Sequence, residues 1–239
     1  MKFRFEPTKD WTDFASGRVL YNYPGSPAFP ARLASELFQR CAAYLNATDC
    51  LPPYNLYDPC CGGAHLLTVV GLLHGTKLRT ISGSDVEPQA LEFACKNLGL
   101  LRREGLEKRQ EKLLSDAERF GKPSHTEAVV SAERLLALPV FRSDAPQTHV
   151  FRADAGNLNP HDLRWQPHIL LADLPYGDLV QWQGDEQSQV LAGWVELVGP
   201  GGVIAVVHPK QQNLVIPAGL DVLESQKVGH RRFLIGRVE

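Results

Sequence analysis

Short runs of apolar and β-branched residues alternate along this chain with longer stretches whose apolar positions recur at helical spacing. Strands covered on both faces show the first pattern and amphipathic helices the second. The runs predict strands at 54–60 (YNLYDPC), 79–86 (RTISGSDV), 148–155 (THVFRADA), 168–175 (HILLADLP) and 202–209 (GVIAVVHP), with two more near 221–228 and 230–238. Helices are expected between them at 30–45, 64–75, 88–101 and 188–198. Such alternation marks an α/β fold, here a seven-stranded, mostly parallel sheet with helices on both faces. The turn around Gly229 is too short for a parallel crossover, so the last two strands should form an antiparallel hairpin at the edge.

One interval exceeds what a crossover needs. Between Leu101 and Thr148 the charges and spaced leucines predict two solvated helices broken at Gly121-Lys122-Pro123. The whole of 1–239 then reads as one domain with a helical insertion at about 102–146. The segment 1–26 is expected to be loosely ordered.

Composition narrows the function classes. A formal charge of -2 and a pI near 6.4 give no overall attraction to nucleic acid, so an RNA partner needs a local basic face. No signal-peptide pattern opens the chain and no apolar run is long enough to span a bilayer, which predicts a cytoplasmic protein without a membrane partner. Five cysteines without a C-x-x-C spacing argue against a disulfide framework and against a metal site.

The chemistry sits at the ends of the first four strands. The first runs into DPCCGGAHLL, where Asp58 ends the strand, Gly62 and Gly63 make the turn and a helix follows. A strand, glycine turn and helix place backbone N–H groups beside a bound cofactor. The next three strands end in Asp85, Asp154 and Asp173. Each acid alone reads as a cap or turn residue, but four in register at carboxyl ends mark the place where open α/β sheets bind ligands. Asp85 can accept from ribose hydroxyls and Asp154 from an adenine amino group.

This motif order, with LVGPGGVIAVV leading into the fifth strand, resembles class I S-adenosylmethionine-dependent methyltransferases, a Rossmann-like fold. More narrowly, YPGSPAFPARLASELFQRC, YDPCCGGAHLLTVVGLLH, GSDVEPQALEFACKNL, ERFGKPSHTEA and DLPYGDLVQWQG resemble the AviRa family of avilamycin-resistance ribosomal RNA methyltransferases, over roughly residues 19–184. The resemblance implies S-adenosylmethionine as cofactor, held by Asp58, Cys60, Gly62, Gly63, Asp85, Val86, Asp154, Ala155 and Asp173. It implies as substrate a guanine base of 23S rRNA, met as RNA or in the large ribosomal subunit, with the enzyme acting as a monomer. In amino-group methyltransferases with a D/N-P-P-Y/F motif, the acid and a following carbonyl accept from the target nitrogen while the aromatic ring stacks on the base. Asp173, Leu174, Pro175 and Tyr176 would form that catalytic motif here, with Tyr176, Gly177, Trp182 and Lys122 touching the substrate.

Two departures stand out: Gly62-Gly63-Ala64 where the family reads G-S-G, which puts a methyl where backbone is expected to approach the cofactor, and His65 in place of an aromatic residue. His65 is expected to face solvent. No cysteine follows the fourth strand, which excludes carbon-5 pyrimidine methylation, and Lys210 alone does not make a ribose-methylating site. Another amino acceptor, such as a DNA base or a protein glutamine, and a catalytically inactive methyltransferase-like binding module remain as alternatives.

Overall fold

A computed structural model describes residues 1–25, 27–142, 144–174 and 184–239, with the backbone alone at 184–188. Its sheet has strands β1 (Tyr54–Asp58), β2 (Leu78–Asp85), β3 (Gln147–Arg152), β4 (Ile169–Asp173), β5 (Val203–Pro209), β6 (Leu220–Val228) and β7 (Arg231–Val238) in the order β3-β2-β1-β4-β5-β7-β6. All neighbours pair in parallel except β7, which runs antiparallel to both β5 and β6. The order reverses direction between β1 and β4, and the crevice at such a switch point is where doubly wound sheets bind ligands.

All five residues of β1 are buried, because helices cover both sheet faces. Leu56, Ile169, Leu171, Val203 and Ala205 point to one side, where α1 (Ala31–Asn46), α2 (His65–His74) and α3 (Pro88–Gly99) pack. Tyr57, Leu170, Ala172, Ile204 and Val206 point to the other, under Trp194 of α6 (Gly184–Val198). Trp194 is fully buried, and its Nε1 donates to the Ala155 carbonyl at 2.9 Å, so the ring's one polar group is satisfied. The α6 helix begins four residues before the boundary expected from the sequence, at Gly184 rather than 188.

The insertion forms α4 (Arg103–Phe120) and α5 (Pro123–Leu136), broken where expected. Gly121 takes the left-handed conformation (φ 61°) that ends α4, and Pro123 starts α5 at a position that needs no N–H. The helices are less solvated than their charge suggests: Leu106, Leu113, Val129, Ala132 and Leu135 join the main core. Their outer faces carry the i,i+4 pairs Arg103–Glu107 and Lys112–Asp116, solvent-screened pairs that add little to stability.

The expectation of a loose N-terminus is corrected. Residues 1–25 are strapped to the core: the Glu36 carboxylate accepts from the backbone N–H groups of Arg4 (2.6 Å), Phe5 (2.9 Å) and Glu6 (2.9 Å). Phe14, Val19 and Leu20 are buried with the main core. Arg109 of α4 donates to the Val19 carbonyl at 2.9 Å with its guanidinium 4.5 Å above the Tyr21 ring, so this cation of the insertion serves the strap.

Candidate active site

A cavity of about 600 Å³ opens at the carboxyl ends of β1, β2 and β4. Asp58, Cys60, Gly62, Gly63, Asp85, Val86, Asp154, Ala155, Asp173 and Leu174 all line it, so the expected cofactor residues and the first half of the expected catalytic motif come together. Pro175, Tyr176, Gly177 and Trp182 lie outside the described residues. Lys122 is exposed at the α4–α5 corner and is not part of the described wall, which leaves it without a place at this site.

The glycine turn is held from both sides. Asp85 Oδ2 accepts from the Gly62 N–H at 2.8 Å and Oδ1 from the Glu87 N–H at 3.0 Å, tying the turn after β1 to the end of β2. Gly62 sits at φ 51°. A Cβ on Gly63 would stand 3.0 Å from the Tyr23 Cβ, so the strap and the turn touch where only glycine fits without displacement. Asn97, fully buried on α3, donates to the Gly63 and Tyr21 carbonyls (2.7 and 3.0 Å) and accepts from the Tyr21 N–H (2.8 Å).

Ala64 corrects an expectation. It is itself left-handed (φ 56°, ψ 30°), yet its side chain is fully buried and does not line the cavity. Its methyl takes no ligand space; its cost is backbone strain of about 1–2 kcal/mol. His65 is corrected as well. It does not face solvent: its Nε2 lies 2.9 Å from the Phe14 carbonyl, and burial lowers its pKa. A carbonyl only accepts, so Nε2 carries the proton and Nδ1, buried and without a hydrogen-bond partner among the described residues, is an acceptor on the cavity wall.

The acids create a negative well. Burial pushes the Asp58 carboxyl far above its ordinary range, and Asp173 and Asp85 push it further, against one hydrogen bond from the Cys60 N–H at 3.0 Å. Burial and the same carboxylates raise the Cys60 and Cys61 thiols, so both stay neutral and neither serves as a nucleophile. Asp173 is pushed up to about 6 by burial, with Arg231 pulling it back from 3.8 Å. Its Oδ1 makes no hydrogen bond among the described residues. A cationic ligand suits this well, and a carboxyl titrating near neutrality is poised to take a proton.

Sequence reasoning missed the opposite wall, built by Tyr23, Pro24, Gly25, Pro27 and Phe29. Its signal was the aromatic and proline run YPGSPAFP, which is too rigid for the loose segment assigned there.

The family model described as rRNA methyltransferase AviRa matches residues 1–231. A Streptomyces viridochromogenes protein named 23S rRNA (guanine(2535)-N(1))-methyltransferase is 40% identical over 237 residues, covering 95% of this chain and 92% of its own length. The structure of rRNA methyltransferase AviRa from the same organism at 1.5 Å superposes with a TM-score of 0.84 at 38% identity, covering 97% of this chain and 94% of that one. The TrmN structure from Thermus thermophilus (TM-score 0.53, 18% identity, 88% of this chain and 49% of that one) shares the fold.

Proposed function

Since the chain belongs to the AviRa family of rRNA methyltransferases, we propose that it transfers a methyl group from S-adenosylmethionine to ring nitrogen N1 of a guanine in 23S rRNA. The observation that carries this reading is Asp173: a carboxyl raised to about 6, on the wall of the cavity that also holds the glycine turn.

The donor fits the cavity. Gly62 and Gly63 would offer it their backbone, Asp85 its remaining lone pairs for ribose hydroxyls, Val86 an apolar face, and Asp154 with Ala155 an edge for adenine. The unpaired His65 Nδ1 suits an ammonium group. When bound, S-adenosylmethionine supplies a methyl group activated by a positive sulfur. The protein's part is to bind, aim and deprotonate. Guanine N1 carries a proton and its electron pair is delocalised, so an acceptor must remove that proton before N1 can attack. Asp173 is that acceptor, and the Leu174 carbonyl, next along the chain, is a second acceptor available to the exocyclic amino group. The burial that raises Asp173 also strengthens its electrostatic interaction with a bound base.

The reading is tested with purified protein, methyl-labelled S-adenosylmethionine, and either protein-free 23S rRNA or large subunits. Digestion to nucleosides and mass spectrometry should find 1-methylguanosine. Label in N2-methylguanosine, in ribose, in DNA or in protein overturns the assignment.

A consequence for the donor follows at Asp85. Replacing it by Asn turns an NH₂ toward one of the two N–H donors and removes the charge from the bond that remains, which costs about 1–3 kcal/mol. The dissociation constant for S-adenosylmethionine, measured by calorimetry, is expected to rise about tenfold to a hundredfold. An unchanged constant removes Asp85 from the site.

A further inference from the structure

A second cavity, of about 710 Å³, lies beside the first and belongs to none of the chemistry above. Phe3 of the strap, Pro30 and Arg32 at the start of α1, Gln211 after β5, and His230 and Arg231 of the β6–β7 hairpin line it. The two cavities share a wall. Arg231 stands 5.6 Å from the centre of the Phe29 ring, which lines the first cavity, and 3.8 Å from Asp173.

The neighbours differ in charge. Four aspartates and Glu87 line the first cavity, so a phosphodiester is repelled from it. The described lining of the second holds Arg32, Arg231 and His230 and no Asp or Glu. An RNA strand that delivers one base to Asp173 must carry its phosphates past this protein of net charge -2, and the second cavity is a basic surface next to the reacting carboxylate.

Its shape suits a nucleotide as well as its charge does. The Arg32 guanidinium lies 3.8 Å from the centre of the Phe3 ring and is fixed there by donating to the Glu6 carbonyl from Nε (3.3 Å) and Nη2 (2.8 Å). Guanidinium planes held rigid on an aromatic ring are platforms for unstacked RNA bases. The volume lies within the range of about 300–1,000 Å³ typical of small-ligand pockets, enough for a base with its sugar and phosphate.

We infer that the second cavity receives a nucleotide flanking the target guanosine, its base against Arg32 and its phosphate toward His230 and Arg231, so that the target base is presented to Asp173. This rests on the rRNA methyltransferase reading. The two are separated by first establishing that the wild-type protein forms 1-methylguanosine in 23S rRNA, and then asking how variants bind that RNA.

The probe is a fluorescein-labelled single-stranded RNA oligonucleotide spanning the modified guanosine, followed by anisotropy at several salt concentrations. Arg32→Glu and His230→Glu each place a carboxylate in the cavity and should each weaken binding about tenfold or more, with a changed dependence on salt. The dissociation constant for S-adenosylmethionine should stay at its wild-type value. Should Arg32→Glu fail to fold for want of its bonds to Glu6, His230→Glu, on an exposed hairpin turn, carries the test alone. A folded His230→Glu variant with wild-type affinity and salt slope overturns the inference, even if the wild-type protein methylates rRNA as proposed. Failure of the wild-type protein to methylate rRNA defeats the functional reading instead.

Discussion

Asp173→Asn should lower kcat for methyl transfer by about a hundredfold to ten-thousandfold, the usual worth of a general base, while S-adenosylmethionine still binds. The choice of Asn decides between two chemistries. An amide oxygen can still accept a hydrogen bond from an exocyclic NH₂, so an amino-nitrogen target would tolerate Asn far better than Ala. It cannot take the N1 proton, so for an N1 target Asn and Ala should be almost equally inactive. The wild-type pH profile carries a second signature. Asp173 must be ionised to act, and burial has raised it to about 6, so kcat/KM should climb as pH rises through about 6 and level off beyond it. That limb disappears in the variant. Arg231→Met removes the opposing charge and should shift the limb to higher pH.

Unfolding will not mimic this result. A carboxyl raised from 3.8 to about 6 on folding is held more comfortably as the neutral acid. The cost of ionising it in the fold grows as pH rises through that window and is fully present above it. Asn does not incur that cost, so the variant should melt no lower than the wild type above pH 6. Wild-type turnover in Asp173→Asn, or a flat profile across pH 6, defeats the role assigned to Asp173.

The parts of this protein that announced themselves in sequence are those fixed by local rules. The β-branched runs at 54–60, 79–86 and 202–209 had to be strands because both sides of each are covered, and the acids that end the first four strands had to lie at one edge of the sheet. Gly121-Lys122-Pro123 ended one helix and began another because those residues permit little else. The strap was hidden because nothing within MKFRFEPTKD orders it; its partner Glu36 lies about thirty positions away on α1. Asn97, which clamps the glycine turn from α3, reads in sequence as an ordinary helix residue. The second cavity joins residues 3, 30–33 and 209–231, so no local pattern could show it. Ala64 and His65 were misjudged for the same reason: which way each points is set by the packing of α2 against the strap.

Glu36→Ala should be the most destabilising single change among these residues. Glu36 is fully buried and accepts from three successive backbone N–H groups and from Arg40, at 2.8 Å from Nε and 2.7 Å from Nη2. Arg40, itself buried, also pairs with Glu224 and donates to the Lys2 carbonyl at 2.8 Å. Removing the carboxylate leaves three backbone donors without their acceptor, that of Glu6 buried, and a buried arginine with half its countercharge, which costs about 3–5 kcal/mol. At about 2–4 °C per kcal/mol for a domain of this size, Tm should fall by about 10 °C. Hydrogen exchange at residues 4–6 should rise most, because their amides lose their acceptor. Burial works to raise the Glu36 carboxyl, but the N–H groups and Arg40 outweigh it and hold it below its ordinary 4.5. The stabilisation is therefore complete above about pH 4.5 and is lost as pH falls through the depressed value. The wild-type protein should lose the strap first on acidification, whereas the variant, having none of this contribution to lose, should show a flatter dependence of Tm on pH below 4.5. Phe3, which holds Arg32 flat in the second cavity, rides on the same strap, so the variant should also bind the RNA oligonucleotide more weakly at a temperature where it is still folded. A variant that melts with the wild type would show that residues 1–6 are anchored by their apolar side chains and that the carboxylate is incidental.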